Sequence, residues 1–105
     1  MGIRIADVQN LCQSGLLRWT DHAMKRLVKR DIRRADVKQA LLTGVIIEQY
    51  PDDYPFPSCL VSGTAEGDRH LHVVCGIGDG QLWVISSYYP DAERWTDDFC
   101  RRKES

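Results

Sequence analysis

The sequence predicts an α+β fold: three N-terminal helices packed on a four-stranded antiparallel β-meander, with a short C-terminal helix after it. Two observations predict this. Up to Gly44 the apolar residues recur at helical spacing, and beyond it they run as β-branched and aromatic stretches. The later stretches are joined by short connectors carrying glycine beside acid, which imply antiparallel neighbours. The length of 105 residues, 43% of them hydrophobic, fits a single domain spanning 1–105.

Each element has its own signal. Ile5, Val8, Leu11 and Cys12 share a helical stripe that stops at Gly15. The LLRW stretch is too short for a helix and reads as a brief extended piece. Thr20 is the expected N-cap of the second helix, with Asp21 suiting its positive end, and Ala23, Met24, Leu27 and Val28 are expected to form its buried stripe. The third helix is predicted from about Arg34 to Thr43, burying Val37, Ala40 and Leu41. VIIEQY, SCLVSGT, RHLHVVCGI and QLWVISSYY are the four predicted strands. PDDYPFP, with its three prolines, must be a loop. After Pro90, DAERWTDDFCRRK is expected to form a short helix or turn with a frayed basic end.

No apolar run approaches membrane-spanning length, and the N-terminus lacks a signal-peptide core, so a soluble cytoplasmic protein is expected. The four cysteines lack a C-x-x-C pair and are expected to be buried or half-buried free thiols. His70, His72 and Cys75 do not suit a metal, because strand alternation separates the histidines from the cysteine, and neither metal nor cofactor is expected.

Net charge is −1, yet the charge is polarised. Arg18–Lys38 holds eight bases against three acids, whereas Glu48–Asp68 holds five acids and no Lys or Arg. On the second helix His22, Arg26 and Arg30 form one stripe and Lys25 and Lys29 a neighbouring one, with Arg33 and Arg34 extending the patch. Apart from Asp21, four residues before Lys25, that helix offers no acid at i+4 spacing. A solvated outer face is one reading, and a phosphate-binding surface is the other, since clustered arginines favour a polyanion.

The sheet supplies further polar groups. Alternation in RHLHVVCGI puts Leu71, Val73 and Cys75 on the helix-packed face and His70, His72 and Val74 on the opposite, more open face. His72 there could meet Tyr88 of the last strand and act as acid or base, or it could be a hydrogen-bonded sheet histidine. Ser86, Ser87 and Tyr89 lie on the same strand as Tyr88, and Trp83 and Trp95 read as packing residues.

The ordered set Thr20-Asp21-His22-Ala23, Arg26, Arg30, Ile32, Asp36-Val37, Gly44, Leu71-His72-Val73-Val74, Tyr88-Tyr89-Pro90-Asp91 and Trp95 resembles a small bacterial family of unknown function. That family is grouped with the RelE, ParE and BrnT toxins of toxin–antitoxin pairs. The resemblance covers residues 17–103 and leaves 1–16 as an additional N-terminal helix. It implies helices on a twisted antiparallel sheet and a metal-independent endoribonuclease acting on mRNA. His22, His72 and Tyr88 would then supply catalytic groups, and Lys25, Arg26, Lys29, Arg30, Arg33 and Arg34 would hold phosphate. The implied partners are RNA and a small zinc-finger antitoxin of the MqsA type. The alternative expectation is a non-catalytic module whose basic helix binds nucleic acid or an acidic protein.

Overall fold

In the computed structural model, residues 2–104 are described. Three helices come first: α1 (Ile5–Gln13), α2 (Asp21–Lys29) and α3 (Arg34–Thr43), with strand β1 (Leu17–Trp19) between the first two. Strands β2 (Val45–Tyr50), β3 (Ser58–Thr64), β4 (His70–Gly78) and β5 (Gln81–Tyr88) follow, and a single 3-10 turn at Glu66–Asp68 links β3 to β4. The chain is therefore α+β, with a five-stranded sheet in place of the expected four strands. The sheet order is β1-β5-β4-β3-β2.

The additional strand is the LLRW stretch. Leu17, Arg18 and Trp19 pair in parallel with Leu82, Trp83 and Val84, which makes the sheet mixed and turns β5 from an edge strand into an interior one. Three residues carry too little periodicity to declare a strand in advance, and their partner lies more than sixty residues away.

Local chemistry accounts for the remaining elements. Thr20 Oγ1 accepts from the Ala23 amide 3.0 Å away, capping α2. At the β4–β5 turn, Asp79 and Gly80 have φ of 55° and 72°, as a two-residue Asp-Gly hairpin requires. Val8, Leu27, Val37, Leu41, Val61, Leu71, Val73, Leu82 and Val84 are buried together between the helices and one sheet face. Leu71, Val73 and Cys75 belong to this core, as alternation in β4 predicts. Cys12, Cys59 and Cys75 are buried free thiols, and Cys100 is half-buried.

Two expectations are corrected. Val28 is 82% exposed rather than part of the buried stripe of α2. Ala23 and Leu27, four residues apart, take the core side, and one further residue turns Val28 about 100° away from it. The short C-terminal helix is also absent: residues 91–103 form turns closed by a bridge between Trp95 and Arg102. Asp91 and Asp98 side chains accept the Glu93 and Cys100 amides at 2.9 and 3.0 Å, offering the backbone an alternative to helical bonding. Phe99, at φ 57°, turns the segment back on itself. This segment lies on the sheet face opposite the helices.

Candidate active site

On that outer face, β4 and β5 hold His72 directly opposite Tyr88, and β3 holds Ser62 opposite His72 on the other side. The His72 ring is fully buried. Its Nε2 lies 2.8 Å from the Phe99 carbonyl oxygen, which can only accept, so Nε2 carries the proton. Nδ1 is then a bare acceptor, and the Tyr88 hydroxyl donates to it over 3.3 Å. Ser62 Oγ donates to the same Phe99 carbonyl at 3.2 Å. Trp95 closes the ring from above, edge-on at 4.5 Å between centroids.

The expectation that His72 stands on an open face is therefore corrected. The face is the predicted one, but residues 95–102 roof it. Burial lowers the pKa of His72, partly offset by the Phe99 carbonyl and by Glu48, so the ring is neutral at physiological pH. The same burial raises the pKa of Tyr88, which stays protonated.

The roof is held by an ion pair that sequence reasoning missed. Arg102 reaches across to β2 and grips Glu48 through two bonds, at 2.8 and 3.1 Å. These bonds hold the Glu48 carboxyl below its usual range. Tyr50 donates to the same carboxylate at 2.5 Å, and burial with Glu48 pushes its phenol up to about 12. The Arg102 guanidinium also stacks on Trp95, 4.7 Å from the ring centre. No local pattern links Glu48 to Arg102, because the contact exists only after the sheet forms. The late tryptophan followed by paired arginines was the available signal.

Beside this roof a mixed-polarity pocket of about 370 Å³ is lined by Tyr88, Tyr89, Asp91, Arg94, Trp95 and Arg102. Arg30 approaches the same strand end, its guanidinium donating to the Ser87 carbonyl at 2.7 Å. Ser87 itself is structural, buried and bonded to the His72 carbonyl at 2.8 Å. The pocket sets Tyr88, its hydroxyl backed by a neutral imidazole, beside the bases Arg94 and Arg102 and the acid Asp91, with Arg102 already paired to Glu48.

The other sequence-predicted residues separate. His22, Lys25 and Lys29 are exposed on α2 and Arg26 is half-buried there, none in an ion pair among the described residues. His22 stands near the start of α2, about 12 Å along the helix from Arg30, and makes no hydrogen bond or ring contact with His72 among the described residues. Arg33 is already committed: it bonds Asp36 at 3.2 Å and also Glu66, and holds the Asp36 carboxyl below its ordinary range. Arg34 lies over Trp19, 5.7 Å from the ring centre, and donates to the Met24 sulfur. The basic run thus resolves into an open set on α2, a strand-bound Arg30, an acid-bound Arg33 and an Arg34 laid over Trp19.

The chain matches a known family. The family described as "Domain of unknown function (DUF4258)" matches residues 19–89, from Trp19 beside the α2 cap through His72, Tyr88 and Tyr89. Neither a curated protein nor a solved structure matches the chain.

Proposed function

For a chain that belongs to this DUF4258 family, we propose a metal-independent endoribonuclease of the toxin class, with the Tyr88 pocket as its reaction centre and α2 as its phosphate track. The observation that carries this reading is the Tyr88 hydroxyl, 3.3 Å from the bare nitrogen of a neutral imidazole, in a pocket with Arg94 and Arg102.

The chemistry follows from that pairing. A ribose 2′-hydroxyl attacks the adjacent phosphorus, forming a cyclic 2′,3′-phosphate and expelling the 5′-oxygen of the next nucleotide. The 2′-hydroxyl proton passes to Tyr88 Oη as Tyr88 gives its own to His72 Nδ1. The imidazolium so formed keeps both bonds, to Tyr88 and to the Phe99 carbonyl, and Glu48 stabilises its charge. Arg94 and Arg102 face the charge that builds on phosphorus, and water protonates the leaving oxygen. His72 acts here through Tyr88 and does not touch RNA.

A second reading has its own support. With both ring nitrogens engaged and no exposed surface, His72 also suits a purely structural part. The chain would then be a non-catalytic module that binds nucleic acid, or an acidic protein such as an antitoxin, through α2. Incubating the purified protein with single-stranded RNA in excess EDTA separates the readings. Shortened RNA supports the nuclease, and intact but bound RNA supports the module.

A further inference from the structure

We propose that a second copy of this chain docks through α2 onto the uncovered half of the outer sheet face, Val28 of one copy entering an aromatic pocket of the other.

The C-terminal segment roofs only the His72 end of that face. At the other end lies a pocket of about 230 Å³, lined by Thr20, Tyr54, Pro55, Phe56, Trp83 and Ile85. Its walls are almost wholly apolar, and Tyr54 is 95% exposed. An open apolar concavity with protruding aromatics is the form that a docking site takes.

Exposed aspartates flank the lining residues along the chain. Asp52 and Asp53 precede Tyr54, Asp21 follows Thr20, and Asp79 follows Gly78, on which the Phe56 ring packs. Asp53 takes a hydrogen bond from Ser58. Asp21, Asp52 and Asp79 form no ion pair among the described residues. Arg18, opposite Trp83 in the β1–β5 register, is the base on this side. An occupant should therefore offer an apolar anchor flanked by cations.

The same chain presents such an anchor. Val28 stands 82% exposed on α2 and adds nothing to the core, with exposed Lys25 and Lys29 beside it and Asp31 one turn on. A β-branched apolar residue in water gains little for an isolated helix. Between the aromatics of a second copy its methyl groups leave water, while Lys25 and Lys29 meet the flanking aspartates. The patches differ, so the contact is heterologous and assembly grows with concentration. It uses the α2 face assigned above to RNA, yet rests on none of the chemistry proposed there.

Sedimentation equilibrium across rising protein concentration tests the proposal, at low salt and at about 0.5 M, where the Debye length has shrunk to a few ångströms. The wild-type protein should exceed the mass of one chain at low salt and return towards it at high salt. Val28→Glu and Tyr54→Glu alter exposed side chains, and circular dichroism confirms that each folds. Each alone should associate about tenfold more weakly or worse, a loss of 1.4 kcal/mol. An equal mixture of the two should regain dimers, because one variant keeps the pocket and the other keeps the helix. A wild-type monomer throughout, Val28→Glu assembling like wild type, or a mixture that stays monomeric would each overturn the proposal.

Discussion

His72 and Tyr88 face each other across β4 and β5, with Nδ1 and Oη 3.3 Å apart, while the other ring nitrogen is tied to the Phe99 carbonyl. The two residues are therefore expected to respond differently to substitution. His72→Ala empties a fully buried position beneath Trp95 and should destabilise the fold by about 2–4 kcal/mol. Tyr88→Phe removes one hydrogen bond at a half-buried hydroxyl and should cost about 1 kcal/mol. Urea denaturation of both variants measures the difference, and equal losses would contradict the description of the roof.

Stability should also depend on pH through His72. Its folded pKa lies below the ordinary value of about 6.5, so the unfolded chain binds the proton more readily. This contribution is fully present above about pH 6.5 and is lost as pH falls towards the folded value. The depressed Glu48 and Asp36 carboxyls have the same sign but act lower, below the unfolded carboxylate range. Thermal melts from pH 8 down to pH 5 should show a first decline that the Glu48→Gln variant retains. A midpoint flat across that range would contradict a buried neutral imidazole.

The contact of α3 with the sheet gives a third prediction. A Cβ built on Gly63 would lie 2.1 Å from the Ala40 carbonyl oxygen and 2.8 Å from its Cα, both backbone atoms that cannot swing aside. Gly63→Ala should therefore force α3 off β3 and cost about 3 kcal/mol. Gly67→Ala, in open space at φ 77°, should cost less, about 1 kcal/mol from backbone strain alone. The ratio of the two losses in denaturant melts is the readout.

How far the sequence revealed these features depends on whether a pattern was local. The Thr20 cap, the α3 limits, the Asp79-Gly80 turn and the buried face of β4 were legible because each is decided within a few residues. Pairing of β1 with β5 was not legible, since only the distant partner makes three residues a strand. At the site, His72 beside Tyr88 followed from strand alternation, but their burial did not. The roof is built by turn-forming aspartates and by Arg102 reaching Glu48 on another strand, and neither leaves a periodic trace. The basic run was visible as charge. Which members were already paired became visible only when Asp36 and Glu66 met Arg33.

The open part of that run carries a fourth prediction. Replacing Lys25, Arg26 and Lys29 together by alanine should leave stability within about 1 kcal/mol, because the three side chains form no ion pair among the described residues. If each contacts one phosphate of a single strand, the slope of log K against log salt should fall by about 2. Fluorescence anisotropy with a labelled oligoribonucleotide over a salt series checks this. An unchanged slope would place the RNA elsewhere.

In the proposed reaction the Tyr88 hydroxyl, backed by His72, handles the proton in metal-independent RNA cleavage. The direct measurement compares wild type with Tyr88→Phe on an end-labelled single-stranded RNA in excess EDTA, with product ends identified by mass spectrometry. Fragments from the wild type should end in cyclic 2′,3′-phosphate, and the variant, still folded and still binding, should cleave about 10²–10⁴-fold more slowly. Intact RNA with the wild-type protein, or equal cleavage by the variant, would contradict it.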